Sequence, residues 1–107
     1  MGNTLRGQLE IKVGKKKFKS LINLNALRLF CQQENITLAE FEEHSTKHSM
    51  DMICKLAYIG IKNNCLLNGE TTPEIDYEVF AAHVLSDNEE FTKLSEAFGK
   101  ALGTGNE

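Results

Sequence analysis

The chain has 107 residues, 41% of them apolar, a net charge of −3 and a mean hydropathy of −0.30. Those values exclude an intrinsically disordered chain and fit a single hydrophobic core of ordinary domain size. They do not name a partner, but charge is uneven: residues 1–30 carry seven Lys/Arg against one Glu, and residues 31–107 carry five Lys against fourteen Asp/Glu, a net −9.

From Leu5 to Val13 the residues alternate, with Leu5, Leu9, Ile11 and Val13 on one face and Arg6, Gln8, Glu10 and Lys12 on the other. Period two predicts a half-buried strand. Gly14-Lys15-Lys16 interrupts it, and Phe18, Ser20 and Ile22 resume the alternation against Lys17, Lys19 and Leu21. The prediction is a β-hairpin over about residues 5–23 with its turn near Gly14.

After Asn23 the period becomes helical, with Leu24, Leu27, Phe30 and Cys31 on one side and Arg28 and Gln32 opposite, until Asn35 closes the helix. Thr37-Leu38-Ala39-Glu40 has the capping-box form and predicts a short helix through Phe41 and Glu42. The stretch His44–His48 reads as a loop, and Ser49 can cap the next helix.

The segment from Met50 to Leu67 is polar along one narrow stripe only, formed by Asp51, Lys55 and Lys62 with Tyr58 at its edge. A surface helix ordinarily has one apolar stripe of a little over about 100°. This one is apolar almost all round, so it is either the central strut of the domain or a helix partly reserved for another chain, which makes a homo-oligomer an expectation. Asn68-Gly69 can end it in the left-handed conformation.

Thr71-Thr72-Pro73 marks a connection, and Asp76 can cap a helix whose Tyr77, Phe80, Ala81 and Val84 share one side. A break near Ser86-Asp87 precedes a last helix with Phe91, Leu94, Phe98, Ala101 and Leu102 inward and Lys93, Glu96 and Lys100 outward. Glu89 and Glu90 suit its positive N-terminus, and residues 103–107 should fray. The expected fold is one α+β domain, mostly helical: an N-terminal hairpin, then about five helices over residues 24–102.

Candidate chemistry is thin. His44 and His48 stand four apart, but Ser45 occupies the place where a zinc-hydrolase helix carries its glutamate, so a loop without metal is the better reading. Cys31, Cys54 and Cys65 lie in apolar helical pattern without C-x-x-C spacing and read as buried, inert thiols. Their odd number and the lack of a secretory signal point to a reducing compartment, and no apolar run approaches the roughly 18 residues that span a bilayer.

His83 reads as exposed, and Glu42-Glu43 and Glu89-Glu90 as solvated faces or dipole partners. Gly103-Thr104-Gly105 comes after a helix, the wrong side for phosphate. No catalytic residue, cofactor site or metal site is expected. Lys15, Lys16, Lys17 and Lys19 form the basic cluster, which suits a solvated turn or a charge-steered protein contact. Lys15, Lys16, Lys17, Tyr58 and Lys62 are the candidate partner-contacting residues.

The order of these segments resembles the tail assembly chaperones of long-tailed bacteriophages and prophages. The likeness is carried by the hairpin, by Leu24-Asn25-Ala26-Leu27-Arg28-Leu29-Phe30-Cys31, by Ile36-Thr37-Leu38-Ala39-Glu40-Phe41-Glu42-Glu43, by Ile53-Cys54-Lys55-Leu56-Ala57-Tyr58-Ile59-Gly60-Ile61-Lys62, and by the late acidic helix pair from Asp76 to Leu102. The family often has a tryptophan in its penultimate helix, where this chain has His83.

The resemblance implies a non-enzymatic assembly factor in the cytoplasm of a bacterial host. Such a factor binds the tape-measure protein, shields its apolar helices and recruits tail-tube subunits, and this chain would correspond to the short form of a family that also has frameshift-extended members. The alternative from another class is a small nucleic-acid-binding regulator using the lysine hairpin and the helices around Thr37–Glu43; the −9 over the helical part argues against it. A small hydrolase finds no supporting constellation.

Overall fold

The hairpin is where the alternation places it. In the computed structural model, which describes residues 8–44 and 50–101, β1 (Gln8–Val13) pairs antiparallel with β2 (Lys16–Leu21), with Ile11 opposite Phe18 and Val13 opposite Lys16. Five helices come next: α1 (Leu24–Glu34), α2 (Leu38–His44), α3 (Met50–Asn68), α4 (Tyr77–Leu85) and α5 (Asn88–Ala101). The fold is α+β and mostly helical, as expected. The strand residues before Gln8, most of the His44–His48 loop, the Ser49 cap, Leu102 and the tail 103–107 lie outside the described residues. His44 itself closes α2 instead of opening a loop.

Helix ends are set by local chemistry. The Asn23 side chain accepts hydrogen bonds from the backbone N–H of Asn25 and Ala26 and starts α1, and Asn35, at φ 59°, closes it. The capping box forms at α2: Glu40 N–H donates to Thr37 Oγ1 at 3.1 Å while Thr37 N–H donates to Glu40 Oε1 at 2.8 Å. Asp76 caps α4, Asp87 accepts from Glu89 and Glu90 N–H at the start of α5, and Gly69, at φ 68°, ends α3.

The choice posed by α3 is decided in favour of the strut. Ile53, Cys54, Leu56, Ala57, Ile59, Gly60, Ile61 and Cys65 are buried within the chain itself, and β2, α1, α4 and α5 all pack against the helix. Most of its apolar circumference is therefore consumed by the fold, and Met50, Leu66 and Leu67 at its two ends are left exposed. Glu34 pairs with Lys55 and Asn25 with Asn63, so α1 runs antiparallel to α3 along one side. Phe30, Phe41 and Phe98 stack in sequence and join α1, α2 and α5 into the same core.

Two positions depart from the periodic reading. Leu24, expected inward, is 77% exposed, and Ala26 takes the inner place. The Asn23 cap, held by Asn63, fixes the rotation of the first turn and turns Leu24 outward. Leu21, expected on the outer face of β2, is fully buried, because α3 reaches the strand at Gly60 and encloses its end.

Glu90, read as a solvated face or a dipole partner, lies in the first turn of α5 but is buried. Its carboxylate accepts from the Lys12 backbone N–H at 3.0 Å and pairs with Lys93 at 3.1 Å, with only 8% of the residue exposed. Among the described residues strand β1 has one partner strand, so its other edge would offer unpaired backbone groups. Glu90 satisfies one of them and ties α5 to the hairpin. Glu90→Ala should lower stability by about 1–2 kcal/mol, since it removes a buried carboxylate together with its bonds to the Lys12 N–H and to Lys93, while Glu89→Ala next to it should stay within about 0.5 kcal/mol. Urea midpoints of the two variants measure the difference.

Candidate protein-interaction site

Exposed apolar side chains, not polar clusters, mark the surface. Leu24 and Leu27 of α1 and Leu38 of α2 line an open groove of about 380 Å³ together with Cys31 and Arg28. Leu27 and Cys31 are one turn apart on α1, with Leu24 one turn before. Leu38 is about half exposed, because as the first helical residue of α2 it precedes the inward Phe41 by one turn.

Arg28 borders this apolar groove. Its Nε donates to Asn25 Oδ1 at 3.0 Å, which holds the guanidinium along α1, and among the described residues no carboxylate pairs with it. Glu40 and Glu43 are exposed on α2. At the α1 N-terminus the outward Leu24 has company: Asn23 and Asn25 meet Asn63, and the exposed Leu66 and Leu67 lie one turn later on α3.

The residues singled out from sequence fall in two places. Lys15, Lys16 and Lys17 are exposed at the hairpin turn, where Gly14 lies against the exposed His83 of α4. Tyr58 and Lys62 come together in a separate recess of about 200 Å³, lined also by Gln33, Pro73 and Ile75. Tyr58 is half-buried and structural in its contacts: its hydroxyl donates to the Ile75 carbonyl, and its ring packs edge-on against Tyr77 and beside Phe80. Lys62 is exposed at the mouth. The α1–α2 groove has no counterpart among those candidates, because periodicity assigned Leu24 to the core.

Cys54 is fully buried and Cys65 nearly so, whereas Cys31 is only half-buried in the groove wall. Burial, with help from Asp51, pushes the Cys54 thiol up to about 11. The Tyr77 hydroxyl is raised by burial first and then by its hydrogen bond to Asp51 at 2.7 Å. Both groups are held neutral in the folded chain and release protons more readily when unfolded. The Cys54 contribution is complete below its unfolded value near 9 and is lost as pH rises through the folded value of about 11, and the Tyr77 contribution begins to be lost only above its unfolded value near 10. The urea midpoint should therefore fall steadily from about pH 9 upward while remaining flat from about pH 7 to 8.5.

Among the described residues no cluster of His, Cys, Asp and Glu could hold a metal ion, and no helix is long and apolar enough to cross a membrane. No family model, curated protein or solved structure matches this chain.

Proposed function

We propose that this chain is a non-enzymatic tail assembly chaperone that binds the tape-measure protein of a long-tailed phage or prophage and recruits tail-tube subunits to it in the host cytoplasm. The observation that carries the reading is the apolar α1–α2 groove, open on a small fold whose central helix is covered by its own chain along the middle of its length. A chaperone for long apolar helices needs an apolar surface that survives its own folding, and Leu24 and Leu38 supply one, with the buried Leu27 between them. The order of hairpin, capped α2, central α3 and late acidic helices supports it through the family resemblance. Contact over so short a groove is modest in strength, so tight holding would come from several copies along one client.

Co-expression tests it. A tape-measure protein from the same genome should stay soluble with it, aggregate without it and co-purify with it. Equal solubility in both cases, with neither protein capturing the other, would remove the proposal. The alternative, nucleic-acid binding through the exposed lysines 15–17 and 19, requires binding to duplex DNA that weakens steeply with salt.

A further inference from the structure

We propose that the α1–α2 groove holds two or three turns of a partner's amphipathic helix, with its apolar face between Leu24 and Leu38 and a carboxylate on the rim of that face paired with Arg28. The inference rests on the chaperone reading for the kind of client, and adds which surface holds the helix and what charge the helix carries. Three features of the groove select that occupant.

The first is spacing. Leu24, Leu27 and Cys31 recur along α1 at one-turn intervals, so the depressions between them repeat at the roughly 5–6 Å separation of side chains at i and i+3 or i+4 on a docked helix. The second is Arg28. Only its Nε is engaged, by Asn25, so the remaining N–H groups of a planar fork lie free beside leucine side chains. A carboxylate there can be held by two charge-assisted bonds, at a place where the apolar surroundings strengthen them.

The third is the opposite wall. Glu40 of α2 is exposed and near enough to Cys31 in the groove wall to add to the effect of burial in pushing that thiol up, so a second acid on that side of the client is repelled and a lysine is favoured. The groove thus reads direction as well as apolarity: acid over α1, base over α2. An apolar helix without that polarity would fit the leucines but not the rims.

The test uses synthetic helical peptides of about 16 residues, roughly four turns. One carries leucines at alternating third and fourth positions with a glutamate on one flank and a lysine on the other; its twin has lysine in place of that glutamate. Cys31 sits in the groove wall, so its alkylation by a maleimide, read by peptide mapping, reports occupancy. The glutamate peptide should bind about tenfold tighter than its twin and slow Cys31 alkylation, and Arg28→Glu should reverse that preference. Leu38→Asp should abolish binding of both, and thermal melts establish that each variant is folded.

Equal protection by the two peptides, protection by neither, or an Arg28→Glu variant with unchanged preference would overturn the inference. A dimer of the wild-type chain that Leu38→Asp dissociates would overturn it too, by making a second copy the occupant. The chaperone reading fails separately. If Arg28→Glu and Leu38→Asp still keep the tape-measure protein soluble, that reading stands and this one falls; if the peptides bind as expected and the tape-measure protein is never captured, the reverse holds.

Discussion

Gly60→Ala should be the most damaging single-methyl change in the protein, lowering stability by about 2–3 kcal/mol and the melting temperature by roughly 10 °C. A methyl group at this position would lie 2.1 Å from Ser20 Oγ and 3.3 Å from both the backbone N and the carbonyl O of Leu21. The Ser20 hydroxyl cannot step aside without cost, because it is buried and donates to the Ala57 carbonyl at 2.8 Å. Helix α3 must then move off β2, and the close contact between hairpin and strut is what holds the two parts of the fold together.

Alanine is otherwise the better helix former by about 1 kcal/mol, so the loss measured is net of that gain. A double-mutant cycle isolates the cause. Ser20→Ala alone should cost about 1 kcal/mol, and Gly60→Ala should cost less on that background than in the wild type. Additive effects would mean that the damage lies elsewhere than at the Ser20 contact. Denaturant midpoints of the four proteins decide it.

Asn63→Asp should be comparably harmful and, unlike Gly60→Ala, dependent on pH. Asn63 is fully buried in α3. Its amide nitrogen donates to the Leu21 carbonyl at 2.8 Å and to Asn23 Oδ1 at 2.9 Å, and its Oδ1 accepts from Asn25 Nδ2 at 2.8 Å. One side chain thereby pins the end of β2, the cap of α1 and the first turn of α1 to the strut. An ionised carboxylate would face two acceptors with no proton to offer and would have to be desolvated as well.

We expect a loss of about 3 kcal/mol at pH 7 for Asn63→Asp, and roughly 2–3 kcal/mol for Asn63→Ala, which leaves the same partners unsatisfied without a buried charge. Burial raises the new carboxyl above its unfolded value, so the folded state binds the proton more tightly. The aspartate variant should recover part of its stability as pH falls toward 4, while the alanine variant gains nothing of the kind. Parallel pH dependence for the two would show that charge is not the cause.

Neither residue is conspicuous in the sequence. Both lie in the helix that periodicity marks as apolar nearly all round, where Gly60 is one more small residue and nothing singles out Asn63. The hairpin, the α2 capping box, the caps at Asn35 and Asp76, and the inner faces of α4 and α5 are legible because each depends on residues a few positions apart. Alternation sets strand faces, and a side-chain oxygen sets a helix start, without reference to the rest of the chain.

Tertiary structure decided the matters that join distant segments. It decided that α3 is a strut with most of its apolar surface spent internally, since β2, α1, α4 and α5 arrive from both sides in sequence to cover it. It turned Leu24 outward through the Asn23–Asn63 bond, forty residues apart, and so opened the groove with Leu38. It buried Glu90 because an edge strand seventy-eight residues earlier has a backbone N–H to satisfy. Composition and periodicity specify which side chains should leave water, but which neighbour covers them is set by contacts between distant segments, and the surface left over for a partner is fixed only once those contacts are made.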